Sequence, residues 1–129
     1  MIYIALTGIT RHVMKELLAA RIRTLEIRSP NNFFTLLNVQ PGDGIFITEA
    51  SAPDVQPGTT GLIARVRGIQ IITHRVIQSS EDYYEESEAQ AARTQLQLVA
   101  AGRVRKVAAH EGGTPMVLDV DEVRYCDAR

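Results

Sequence analysis

Tryptophan is absent from the 129 residues, cysteine occurs once and lysine only twice. The single cysteine, Cys126, cannot close an internal disulfide, and its place four from the end suggests no catalytic role. A reducing, cytoplasmic setting is therefore expected. No apolar run approaches the ~18 residues of a membrane-spanning helix. The opening, MIYIALTGITRH, lacks a basic segment ahead of its short apolar one, so no secretory leader is expected. The three histidines, His12, His74 and His110, stand far apart, and Asp119, Asp121 and Glu122 lack the glycine and spacing of a calcium loop. No GxSxG, Walker-type or dinucleotide glycine signature is present. Neither a metal nor a cofactor is expected.

What the chain does have is 45% apolar residues, enough for one core. Residues 1–129 are expected to form a single domain, because a chain of this size can bury about two-thirds of its unfolded surface. The net charge of −1 hides a segregation. Residues 79–92 (SSEDYYEESEAQAA) carry five acids and no base, so the remainder is net positive. Twelve of the fourteen bases are arginine, the side chain suited to bidentate anion contacts and to stacking on planar groups. A near-neutral balance argues against broad binding to duplex nucleic acid but leaves room for a local anion site.

Residues 2–7 read as a strand, and Thr10 as the cap of a helix over 11–20. In TLEIR (24–28), Leu25 and Ile27 fall on one strand face and Thr24, Glu26 and Arg28 on the other. Ser29-Pro30 is a helix start, with the helix expected to run to about Val39. Pro41-Gly42-Asp43-Gly44 turns the chain into a strand at 45–49, and residues 50–58 form a loop. A long β segment over 61–76 should bulge or bend near Gly68. The acidic stretch is expected to be a helix over about 81–92, facing solvent, packing on the basic rim, or closing over a cleft as a lid. Two further β stretches broken at Gly102 and a last strand at 116–120 complete an α+β, mainly β pattern: a small barrel with flanking helices.

Three segments in order, RIRTLEIR (21–28), VQPGDGIFI (39–47) and GTTGLIARVRGI (58–69), resemble the ASCH branch of the PUA-like superfamily. Its GxKxxExR motif falls on Arg21, Arg23, Glu26 and Arg28; the last two match, Arg23 keeps only the charge, and Arg21 departs. The run 74–107 is similar to an archaeal family known as domain of unknown function 473. The resemblance implies a cleft between barrel and front helix that takes RNA, a nucleotide or a nucleobase. Glu26 would accept from base amino or imino groups, and Arg23 and Arg28 would hold phosphate or stack on the base.

Thr24, Glu26 and Arg28 are accordingly expected to open together into a polar hollow, the alternative being an Arg–Glu ion pair on the barrel rim. His74 and Arg75, then Arg103 and Arg105 on one strand face, are further candidate contacts for a nucleic-acid backbone. The resemblance also brings an enzymatic alternative. Some ASCH-like proteins hydrolyse acylated cytidines with a threonine where Glu26 stands and a lysine where Arg23 stands. Arginine keeps its proton and cannot act as that base, so no catalytic residue is assigned. A third reading is a protein–protein adaptor with a vestigial cleft, and exposed β edges leave room for a homodimer.

Overall fold

The structure is a computed structural model that describes residues 1–110 and 115–125; Cys126 lies outside them. The elements are β1 (Ile2–Leu6), α1 (Arg11–Ala20), β2 (Ile22–Ile27), α2 (Pro30–Leu36), β3 (Gly44–Ile47), a 3-10 turn at Ala52–Asp54, β4 (Thr60–Ser80), β5 (Tyr83–Ala109) and β6 (Val117–Tyr125). Both helices begin where local chemistry directs. The Thr10 hydroxyl accepts from the Val13 N–H at 3.3 Å, satisfying one of the free donors of the first turn. Pro30 opens α2, and the buried Asn32 ties that helix to the end of β1. Its Nδ2 donates to the Thr7 carbonyl at 2.8 Å, while its Oδ1 accepts from the Thr7 N–H at 3.1 Å.

The strands pair in the order β2-β5-β4-β3-β1-β6, and β6 pairs again with β5. The pairings β5–β4–β3–β1–β6–β5 thus form a closed circuit, with β2 attached on the outside of β5. All contacts in it are antiparallel except β1 with β3. Two cores follow from the alternation of side chains. Tyr3, Phe46, Ile63, Val104, Leu118 and Val120 meet in one cluster, to which all five strands of the circuit contribute. Leu17, Leu25, Ile27, Leu36, Ile45 and Leu96 form the other, beneath the helices and β2. β3 reads as an unbroken apolar run, Ile45-Phe46-Ile47, because it is buried on both faces.

Three expectations are corrected. The acidic stretch is not a helix: β4 and β5 run through it as a hairpin that turns at 81–82. A helix would stack Glu81 over Glu85 and Asp82 over Glu86, like charges at i,i+4. The hairpin spreads them over two faces and sets Arg75 against Glu86 at 2.6 Å and Glu88 at 3.5 Å. Gly102 does not break β5. A Cβ there would lie 2.8 Å from Val120 Cγ1, so the glycine admits β6 at close range while the strand continues. α2 ends at Leu36, three residues early, and Leu37 is exposed. The irregularity expected near Gly68 is present as a register shift between Val66 and Gly68.

On the seam between β5 and β6, Asp119 is buried and ion-paired with Arg105; the Arg105 Nε donates to it at 3.0 Å. The N-terminal ammonium adds a contact at 3.2 Å. The Arg105 hydrogen bonds, followed by that of the ammonium, hold the Asp119 carboxyl below its ordinary value. A depressed carboxyl contributes stability that is present above the ordinary carboxylate range and is lost as pH falls through the folded value. The melting midpoint is therefore expected to drop as pH is lowered below about 4, and Asp119→Asn should flatten that part of the profile while lowering the midpoint at pH 7. Melting curves from pH 3 to 7 on both chains check this. Parallel profiles would show that Asp119 is not the responsible group.

Candidate functional site

β2 is an edge strand, paired only with β5. The Leu98 N–H donates to the Arg21 carbonyl at 2.7 Å, which sets the alternation of the whole ladder. Arg23, Leu25 and Ile27 then exchange backbone hydrogen bonds with β5, and Thr24 and Glu26 turn their N–H and C=O groups to the open edge. Beside that edge lies a hollow of about 400 Å³ between β2 and the starts of the two helices. Its floor is aliphatic, from Ile9, Leu25 and Ile27, all buried. Its rim is polar, from Arg23, Glu26 and Arg28. Residues from opposite faces of β2 line it together, so the hollow sits at the strand's edge rather than over one face.

The charged groups on this rim are partly paired. The Arg28 Nη2 donates to Glu26 Oε2 at 3.2 Å, and His74 Nε2 stands 3.9 Å from Glu26 Oε1. Arg23 is ion-paired with Glu16 of α1, yet its Nε is buried with no hydrogen-bond partner. The Glu26 carboxylate thus lies within reach of two cationic or cation-forming side chains from different elements. Its side chain remains one-third exposed at 34% and open to a ligand.

The structure brings Arg23, Glu26 and Arg28 to one hollow, with His74 next to Glu26. Thr24 does not join them, contrary to the expected row of 24, 26 and 28. The strand ends at Ile27 and the chain turns at Ser29-Pro30, so Arg28 leaves the row and wraps into the hollow, while Thr24 stays outward. Arg75 is engaged with Glu86 and Glu88 on the β4–β5 hairpin. Arg103 and Arg105 sit opposite β6, where Arg103 pairs in register with Asp121 and Arg105 holds Asp119. No residue of the acidic stretch lines the hollow, so the lid expectation finds no contact there. Thr10, Val13 and Asn32 do line it. Their sequence signals, a cap and helix positions, point to structure rather than to a site.

Among the described residues no three His, Cys, Asp or Glu side chains converge as a metal site would need. No described helix is long and apolar enough to cross a membrane.

Residues 1–118 match the family described as "Protein of unknown function (DUF473)". The chain is also similar to "Uncharacterized protein MJ0105" of Methanocaldococcus jannaschii, at 28% identity over 101 residues. That alignment takes in 78% of this chain and 63% of the relative, so the chain spans less than two-thirds of that protein's length. No solved structure matches it.

Proposed function

Taking as premise that the chain belongs to the family described as "Protein of unknown function (DUF473)", we propose that it binds a nucleobase, carried by RNA or a nucleotide, in the hollow beside β2. The fold reading behind this takes the closed circuit of β1, β3, β4, β5 and β6 as a PUA-like barrel, with β2 and the helices on its flank. The whole chain then acts as one domain in the reducing setting that its single cysteine suits.

The observation that carries the proposal is the convergence on one edge of three complementary features. The aliphatic floor accepts the face of a planar ring, and its volume suits a small ligand. The Glu26 carboxylate, with the backbone N–H and C=O turned to the same edge, matches the alternating donors and acceptors of a base. Arg28, exposed on the rim, supplies donors for phosphate or carbonyl oxygens, and Arg23 adds a second positive charge beside it. Arg23, paired with Glu16 and permanently protonated, favours binding over proton abstraction at this site.

Fluorescence anisotropy with short labelled single-stranded RNAs, and calorimetry with a panel of nucleotides, test the reading. Glu26→Ala and Arg28→Ala should each weaken binding about tenfold, the value of one charge-assisted hydrogen bond. Their melting midpoints should stay close to that of the parent, since both side chains lie on the surface. Absence of binding by the parent chain, or binding that ignores both substitutions, overturns the proposal.

A further inference from the structure

The β4–β5 hairpin extends beyond the rest of the molecule. From Thr73 to Gln90, every residue whose burial is described is exposed, Ile77, Tyr83 and Tyr84 among them at 54–65%. A bare two-stranded ribbon is marginal in water, because it has no third element against which to bury a face. Its two edges differ sharply.

On the β4 side, β3 pairs only as far as Arg65, and the turn at Gly42–Asp43 takes up Val66. Beyond that point no strand among the described residues covers β4. The ladder alternation set by Arg21 and Leu98 turns the odd residues of β5 toward β4 in this stretch. Ile69, Ile71, Thr73, Arg75, Ile77 and Ser79 therefore present their own N–H and C=O groups outward. Arg75 is the one permanently charged residue in that row, and Glu86 and Glu88 of the same hairpin offset it. The opposite edge, on β5, turns Tyr84, Glu86, Glu88 and Gln90 outward.

We infer that two copies of this chain join antiparallel along the β4 edges, over about residues 69–79, into a two-fold dimer. The occupant is a second copy because the edge suits its own reverse. A row of apolar and neutral polar residues with one offset charge meets itself without placing like charges opposite each other. The β5 edge brings acid against acid and repels its own copy, so pairing stops at two rather than continuing into a fibre. Ile71 and Ile77, now exposed, gain cross-strand neighbours in the dimer. This inference stands apart from the ligand proposal, since the hollow lies beside β2 on the far side of β5.

Sedimentation velocity on the full chain at micromolar to submillimolar concentration tests it, with two substitutions on the same rung of the hairpin. Thr73→Pro removes an outward donor from the β4 edge, and Gln90→Pro, across the rung, removes one from the β5 edge. The parent chain and Gln90→Pro should sediment as dimers, and Thr73→Pro should dissociate at least about tenfold more readily. If Thr73→Pro does not fold, Ile77→Lys replaces it and is scored in the same way, because an edge lysine opposes strand addition. A monomeric parent overturns the inference. Dimers in both substituted chains overturn it too, as do monomers in both, because the β4 edge then does not discriminate.

Discussion

A chain carrying Gly61→Ala is expected to lose at least about 3 kcal/mol of folding free energy, the upper end of what overpacking costs. Gly61 opens β4 opposite Gly102, where the strand crosses β3 closely. A Cβ built on it would lie 2.2 Å from the Ile47 carbonyl oxygen and 2.6 Å from Phe46 Cζ. A ring can turn aside, but the Ile47 carbonyl belongs to the last rung of the β3–β4 ladder and is held by the pairing on that rung. Ile47 is paired with Leu62, and the Thr48 hydroxyl next to it donates to the Thr60 carbonyl at 3.0 Å. Relief requires that β3 and β4 separate, which opens the circuit of strands at that seam. Small domains have only about 5–15 kcal/mol in total, so a large part of the margin is at stake. Urea unfolding at neutral pH measures it, and a loss below about 1 kcal/mol would show that the seam yields without cost.

Phe46→Ala is expected to cost about 3–5 kcal/mol, through lost transfer energy and the cavity left behind. Phe46 is the largest of the fully buried side chains among the described residues, and it sits in the cluster shared by the five strands of the circuit. Its neighbours come from strands already held by backbone pairing on both sides, so they cannot collapse into the space. The contrast is Phe34, on α2 and 63% exposed, where the same substitution should change stability by no more than about 0.5 kcal/mol. Unfolding curves on the two chains side by side decide the matter. Equal losses would mean that the cluster around Phe46 is not a packed core.

The local elements of this chain are readable because their causes are local. Thr10 caps α1 with its own hydroxyl, Pro30 starts α2, and Leu25 and Ile27 alternate with Thr24 and Glu26 on β2 as a half-buried strand must. The acidic stretch misleads because its composition suits a solvated helix, whereas the deciding force is cross-strand pairing with residues that lie 3 to 21 positions away. Gly102 misleads in a related way. A glycine in a strand reads as a break, yet here it serves the approach of β6.

Glu26 and Arg28 are recognisable as a polar pair alternating with the buried Leu25 and Ile27. Arg23 was recognisable as a charge, but its position on the opposite face from Glu26 gave no sign that both would border one hollow. That depends on β2 being an edge, and on Asn32 and Thr7 setting where α2 begins.

Sequence alone specifies the two helices and the strands around them, the buried face of β2, the segregation of charge and the family. Such properties depend on neighbours a few positions apart. Three outcomes belong to the fold as a whole: which strand became an edge, which arginines β6 took up, and how far the hairpin ran beyond the core. Those outcomes rest on register between segments as much as 117 residues apart, as Ile2 is from Asp119, and β5 alone takes three different partners along its length.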